Sequence, residues 1–160
     1  MLAKEGDIVK GIKLDSSLGE KIATTDFLGK NVILYFYPKD NTPGCSLEAK
    51  LFEDYKDHFE ELNTVILGVS KDSIKSHMKF RDKLNISFAL LSDEQKELCD
   101  YYGVMKLKKF MGKEYHGIER STFIIDKEGR LIKEYRNVKV KNHIEDVMSF
   151  INEIENRVKN

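Results

Sequence analysis

The 160-residue chain predicts an α/β fold with a mixed central sheet flanked by helices and an N-terminal β-hairpin, and three observations carry that expectation. Three short apolar runs, Val32 to Tyr37, Val65 to Val69 and Thr122 to Ile125, are rich in β-branched and aromatic residues and read as strands buried on both faces. Segments of helical period follow the first two, which is the layout of parallel strands joined by crossover helices. The third is followed by the turn Asp126-Lys127-Glu128-Gly129 and a second apolar run at Leu131-Ile132, so an antiparallel pair joins the same sheet.

In chain order, Ile12 to Leu14 and Lys21 to Ile22 flank Ser17-Leu18-Gly19 and form the expected N-terminal hairpin. The Val32–Tyr37 strand stops at Pro38, which has no N–H for a ladder. A helix starts near Cys45 and carries Leu47, Leu51, Tyr55, Phe59 and Leu62 at spacings of three or four. A weaker second helix, from about Ser73 to Leu84, carries Ile74, Met78 and Leu84. Ser92-Asp93-Glu94-Gln95 reads as a capping box opening a third, with Leu98, Cys99 and Tyr102 before a stop at Gly103. The last helix has the clearest period, through Ile144, Val147, Met148, Ile151, Ile154 and Val158.

At roughly 150 residues per domain, the length predicts one domain spanning 1–160. The only prolines are Pro38 and Pro43, and no repeat or linker-like stretch interrupts the pattern. Lys plus Arg and Asp plus Glu both total 27, so the net charge of zero argues against a nucleic-acid or anionic-membrane binder. Two cysteines are too few for a disulfide scaffold and fit a reducing compartment. The opening Met1-Leu2-Ala3-Lys4-Glu5-Gly6-Asp7 meets charge before any apolar stretch, which argues against a secretory leader and for a cytoplasmic protein. His58, His77, His116 and His143 are scattered, so no metal site or cofactor is expected. Lys106-Leu107-Lys108-Lys109 reads as a solvated basic loop.

The chemistry concentrates at Cys45. Pro38-Lys39-Asp40-Asn41-Thr42-Pro43-Gly44 delivers this cysteine from the end of a buried strand to the first turn of a helix. N–H groups of that turn lack intrahelical partners and the helix dipole favours an anion there, so the position favours a thiolate, the nucleophilic form. A cysteine at a helix start can equally be an inert packed residue, and an isolated Arg120 or Glu48 carries no assignment of its own.

Pro38-x-x-x-Thr42-x-x-Cys45 resembles the active-site signature of the peroxiredoxins, thiol-dependent peroxidases on a thioredoxin-like fold. The wider run Tyr35 to Ala49 is similar to the bacterioferritin comigratory protein, or peroxiredoxin Q, subfamily. Further resemblances follow in order at Leu90-Leu91-Ser92-Asp93, Tyr102-Gly103-Val104, Met111-Gly112-Lys113, Gly117 to Phe123 and Ile125-Asp126. The resemblance implies that Cys45 attacks a hydroperoxide and becomes a sulfenic acid, with Arg120 stabilising the charge, Thr42 bonding the peroxide and Pro38 sheltering the sulfur. It also implies that Glu48 orients Arg120 from behind. A thiol reductant (thioredoxin, glutaredoxin or a small thiol) would recycle the enzyme, and a monomer or weak homodimer is expected.

The chain departs from the subfamily at its resolving cysteine. Many members carry one five residues after the peroxidatic cysteine, where this sequence has Lys50; a second placement in the following helix falls near Arg81. That leaves Cys99, whose neighbours Leu98 and Tyr102 point to a buried structural thiol, with a resolving role as the alternative. The expectation is therefore a one-cysteine peroxidase. A redox sensor that signals through oxidised Cys45 is the competing reading, and the absence of Cys-x-x-Cys argues against a dithiol oxidoreductase.

Overall fold

Five strands form the central sheet, in the order β5 (Ala89–Ser92), β4 (Thr64–Ser70), β3 (Asn31–Phe36), β8 (Ser121–Ile125) and β9 (Leu131–Tyr135). The computed structural model describes residues 2–159, without the side chains of 158 and 159, so Val158 falls outside the side chains described. Strand β3 (Asn31–Phe36) lies parallel to β4 (Thr64–Ser70), which lies parallel to β5 (Ala89–Ser92). On the other side, β8 (Ser121–Ile125) runs antiparallel to β3, and β9 (Leu131–Tyr135) antiparallel to β8. The short strands β1 (Leu14–Asp15) and β2 (Lys21–Ile22) form the N-terminal hairpin. The predicted mixed sheet and hairpin are present.

Strand alternation divides the core. Val32, Leu34 and Phe36 of β3 face one cluster, whereas Ile33 and Tyr35 face the other. The first cluster is closed by α4 (Glu97–Tyr101) through Leu98, Cys99 and Tyr102, together with Val104 and Ile118. The second is covered by α1 (Pro43–Asp54), α2 (Lys56–Glu61), α3 (Ile74–Leu84) and α5 (His143–Lys159). Phe52 is fully buried there and stacks on Tyr35 with ring centroids 4.6 Å apart. Burying such a side chain contributes about 2–3 kcal/mol. Among the described residues no helix is long and apolar enough to cross a membrane.

Three local expectations are corrected. The single helix read through Leu62 is two, α1 and α2, broken where Tyr55 leaves helical geometry at φ −97°, ψ 3°. Its buried stripe is Cys45, Glu48, Ala49 and Phe52, while Leu47 is half exposed. Leu51, Tyr55, Phe59 and Leu62 of the expected stripe do pack against this cluster, so the apolar pattern errs only at Leu47 and omits the buried glutamate. Ser92-to-Gln95 forms no capping box: Ser92 ends β5 and its hydroxyl donates to the Asp72 carbonyl, and the Asp93 carboxylate accepts the Leu98 and Cys99 amides instead. Finally, Lys106 to Lys109 lies in a strand, β6 (Met105–Phe110), paired with β7 (Lys113–Ile118) in a separate hairpin. Lysines at both pleat faces hide the alternation that would have marked it.

Candidate active site

The site assembles where β3 and β8 end side by side. Their register pairs Phe36 with Ser121, so Tyr37 and Arg120, the next residues outward, leave the sheet together. Beyond Tyr37 the chain turns through residues 38–42 into α1, whose N-cap is Thr42 in an extended conformation with Pro43 as the first helical residue. Cys45 occupies the first turn and is only 2% exposed. The first intrahelical bond is Ser46 N–H to the Thr42 carbonyl at 2.8 Å, which leaves the Gly44 and Cys45 amides upstream of the helical ladder.

Arg120 reaches this turn from a point 75 residues further along the chain and donates from Nη2 to Cys45 Sγ at 3.4 Å. Its Nη1 donates to Glu48 Oε1 at 2.5 Å. Glu48 is fully buried, and Oε2 has no hydrogen-bond partner among the described residues. Burial pushes the Glu48 carboxyl up to about 7, against the pull of the guanidinium. Arg120 loses hydration at the same place, yet its pKa is raised because Glu48 and Cys45 both favour the cation. Tyr35 adds a second unpartnered buried group, its hydroxyl, and burial holds that phenol far above its ordinary range, with Glu48 and Cys45 adding to the effect.

Thr42 Oγ1 donates to the Lys39 carbonyl at 2.9 Å, so its lone pairs remain free to accept a bond. Pro38 is half-buried at the start of the same loop. The structure therefore gathers Cys45, Glu48 and Arg120 by direct contacts, with Thr42 and Pro38 on the loop that enters α1. Cys99 is elsewhere. It is fully buried in the core cluster on the opposite face of the sheet from Cys45, and burial beside Asp93 raises its thiol well above the ordinary cysteine range.

Three contributors escaped the sequence reading. A Cβ on Gly44 would stand 3.1 Å from Arg120 Nη2, so glycine leaves the space in which the guanidinium lies. Lys108 of β6 donates to the Ile118 carbonyl at 2.6 Å, and its pKa is lowered by burial and by the charge of Arg120. The third is a buried polar cluster beneath the loop. Asp40 accepts from the Tyr37 hydroxyl at 2.6 Å, from Ser76 Oγ at 2.7 Å, and meets His77 Nδ1 at 2.7 Å. His77 Nε2 lies 2.9 Å from the Leu91 carbonyl, so the imidazole is held between that carbonyl and Asp40. The Asp40 amide in turn donates to Asp72 at 2.8 Å. No spacing rule links these residues, because they come from a loop and two helix or strand termini. Asp40, Asp72 and His77 place one ligand-type atom each within 4.8 Å of one another, but the groups are committed to these internal bonds.

Comparison with known proteins identifies the family and the fold. The family model described as the AhpC/TSA family matches residues 6–134. "Peroxiredoxin Bcp" of Bacillus subtilis is 48% identical over 157 residues, covering 98% of this chain and 100% of the relative. A PrxQ mutant structure from Xylella fastidiosa superposes with a TM-score of 0.90 at 37% identity, covering 95% of this chain and 97% of that one. A structure of the Xanthomonas campestris bacterioferritin comigratory protein, described for its alkyl peroxide reduction activity, superposes with a TM-score of 0.86 at 38% identity, covering 90% and 92%.

Proposed function

Because the chain belongs to the AhpC/TSA family, in its Bcp or peroxiredoxin Q branch of thiol-dependent peroxidases, we propose that it reduces hydrogen peroxide and organic hydroperoxides through Cys45. The observation that carries the reading is Arg120 held between Cys45 Sγ at 3.4 Å and Glu48 Oε1 at 2.5 Å at the start of α1. In the proposed reaction the Cys45 thiolate attacks the terminal peroxide oxygen. A sulfur–oxygen bond forms, the oxygen–oxygen bond breaks, and the departing oxygen leaves as water or alcohol after taking the peroxide proton. Arg120 offers its permanently charged donors first to sulfur and then to the oxygens that gain charge. Thr42, whose own proton is committed to Lys39, accepts from the attacked O–H. The Gly44 and Cys45 amides complete the cradle, and Pro38 shelters the sulfenate. Replacing Cys45 by Ser is expected to abolish peroxide consumption while the thermal unfolding curve is retained; undiminished consumption would overturn the reading.

We infer recycling of the one-cysteine type. Lys50 stands at the subfamily's usual resolving position, and Cys99 lies behind the sheet from Cys45, both of which support reduction by an external thiol. Thioredoxin, glutaredoxin and small thiols are the candidate reductants, acting on a cytoplasmic monomer. The 2% exposure of Cys45 also favours a long-lived sulfenic acid, as a peroxide sensor would need. Multiple turnovers with added thiol distinguish a peroxidase from a sensor.

A further inference from the structure

A groove of about 440 Å³ lies between the active-site loop and α3, lined by Asp40 and Asn41 on one side and by Lys75, Lys79 and Lys83 on the other. The lysines recur every four residues, so one face of α3 presents three ammonium groups to the groove. None of the three forms an ion pair with a carboxylate among the described residues. The one carboxylate in the lining, Asp40, is buried and turned away into its bonds with His77, Ser76 and Tyr37. Lys83 additionally donates to Asn41 Oδ1 at 2.7 Å, fixing the loop to the rim. Asn41 is four residues from Cys45, a stretch that spans at most about 14 Å even fully extended.

We propose that this groove binds the anionic end of a low-molecular-weight thiol carrying carboxylates, the reductant that recycles Cys45. The inference rests on the one-cysteine reading above. Its size suits a small molecule rather than a protein surface. The thiol sulfur displaces water from the sulfenic acid to give a mixed disulfide with Cys45. A second molecule of the thiol then attacks that disulfide, releasing the symmetric small-molecule disulfide and restoring the Cys45 thiol. The two electrons that reduced the peroxide come from the two thiols, and the sulfenic oxygen leaves as water. Because Cys45 is 2% exposed, the first turn of α1 must open for this step, and a ligand tethered by its carboxylates waits beside that turn.

The test separates the two half-reactions. Enzyme oxidised with one equivalent of hydrogen peroxide is mixed with glutathione, an anionic thiol, or with 2-mercaptoethanol, a neutral one, and loss of the sulfenic acid is followed. Lys75→Gln/Lys79→Gln, which spares the Lys83–Asn41 bond, and the triple variant adding Lys83→Gln are compared with wild type. The triple variant is expected to lose about tenfold in rate with glutathione and to change less than about twofold with 2-mercaptoethanol. The double variant falls between, and added salt slows the glutathione reaction most in wild type, less in the double variant and little in the triple. An equal loss with both thiols, or none with glutathione, would overturn the groove's role. Failure of wild-type Cys45 to form any sulfenic acid would instead overturn the peroxidase reading, and it is seen before either thiol is added.

Discussion

In the proposed reaction the reactivity of Cys45 turns on Arg120, which alone among the described residues hydrogen-bonds both the sulfur and the buried carboxylate. Losing a donor that stabilises developing charge costs about 10²–10³ in rate, so Arg120→Ala is expected to lower kcat/KM for hydrogen peroxide by that factor. A steady-state assay with saturating thiol measures it. Gly44→Ala makes a subtler test. Its Cβ would crowd Nη2 at 3.1 Å, while alanine is the better helix former. Peroxide kcat/KM is expected to fall roughly tenfold with no loss in Tm, a combination that general destabilisation does not produce. Cys45 and Pro38 were legible from their places at a helix start and a strand end, whereas Thr42 was named through resemblance to a motif that lies within eight residues. Arg120 was legible only through resemblance, as a register 75 residues away delivers it. Gly44 was silent because its contribution is the absence of a side chain.

At the scale of elements, the loop between β3 and α1 is set by what lies beneath it. Asp40 ties the loop to α3 through Ser76 and His77, and Asp72 ties it to the end of β4 through Ser70. Leaving a buried acceptor without its hydrogen-bond partner costs about 1–3 kcal/mol, so His77→Leu is expected to lower the urea midpoint accordingly and to slow Cys45 oxidation along with it. Unchanged stability would mean that the pair does not hold the loop. The sequence showed strand, turn and helix here without showing the clamp, because its members are distant polar residues with no period. The β6–β7 hairpin was hidden for another reason: strands that are solvated on both faces lack the apolar alternation by which strands are recognised. Lys50 and Arg81, by contrast, stand where resemblance to the subfamily puts its resolving cysteines.

For the whole molecule, two buried titrating groups oppose each other in the pH dependence of stability. Burial lowers His143 to about 4 from its ordinary 6.5, so the stability tied to its neutral form is complete above 6.5 and is lost as pH falls toward 4. Glu48 is raised to about 7 from 4.5, so its contribution is complete at low pH and is lost as pH rises through 7. Their slopes oppose each other between 4.5 and 6.5. In Glu48→Gln the falling limb disappears, and urea midpoints are expected to rise with pH up to about 6.5 and then level off. A variant profile parallel to wild type would mean that Glu48 is ionised throughout.

The central sheet also separates the two cysteines, one in each core layer, and the one-cysteine account depends on that separation. The most direct measurement is intact mass spectrometry of wild type and Cys99→Ser after one equivalent of hydrogen peroxide, with a sulfenic-acid trap added. The account predicts the same single gain of about 16 Da, or the trapped adduct, at Cys45 in both proteins. A loss of about 2 Da in wild type that vanishes in Cys99→Ser would reveal a Cys45–Cys99 disulfide and contradict it.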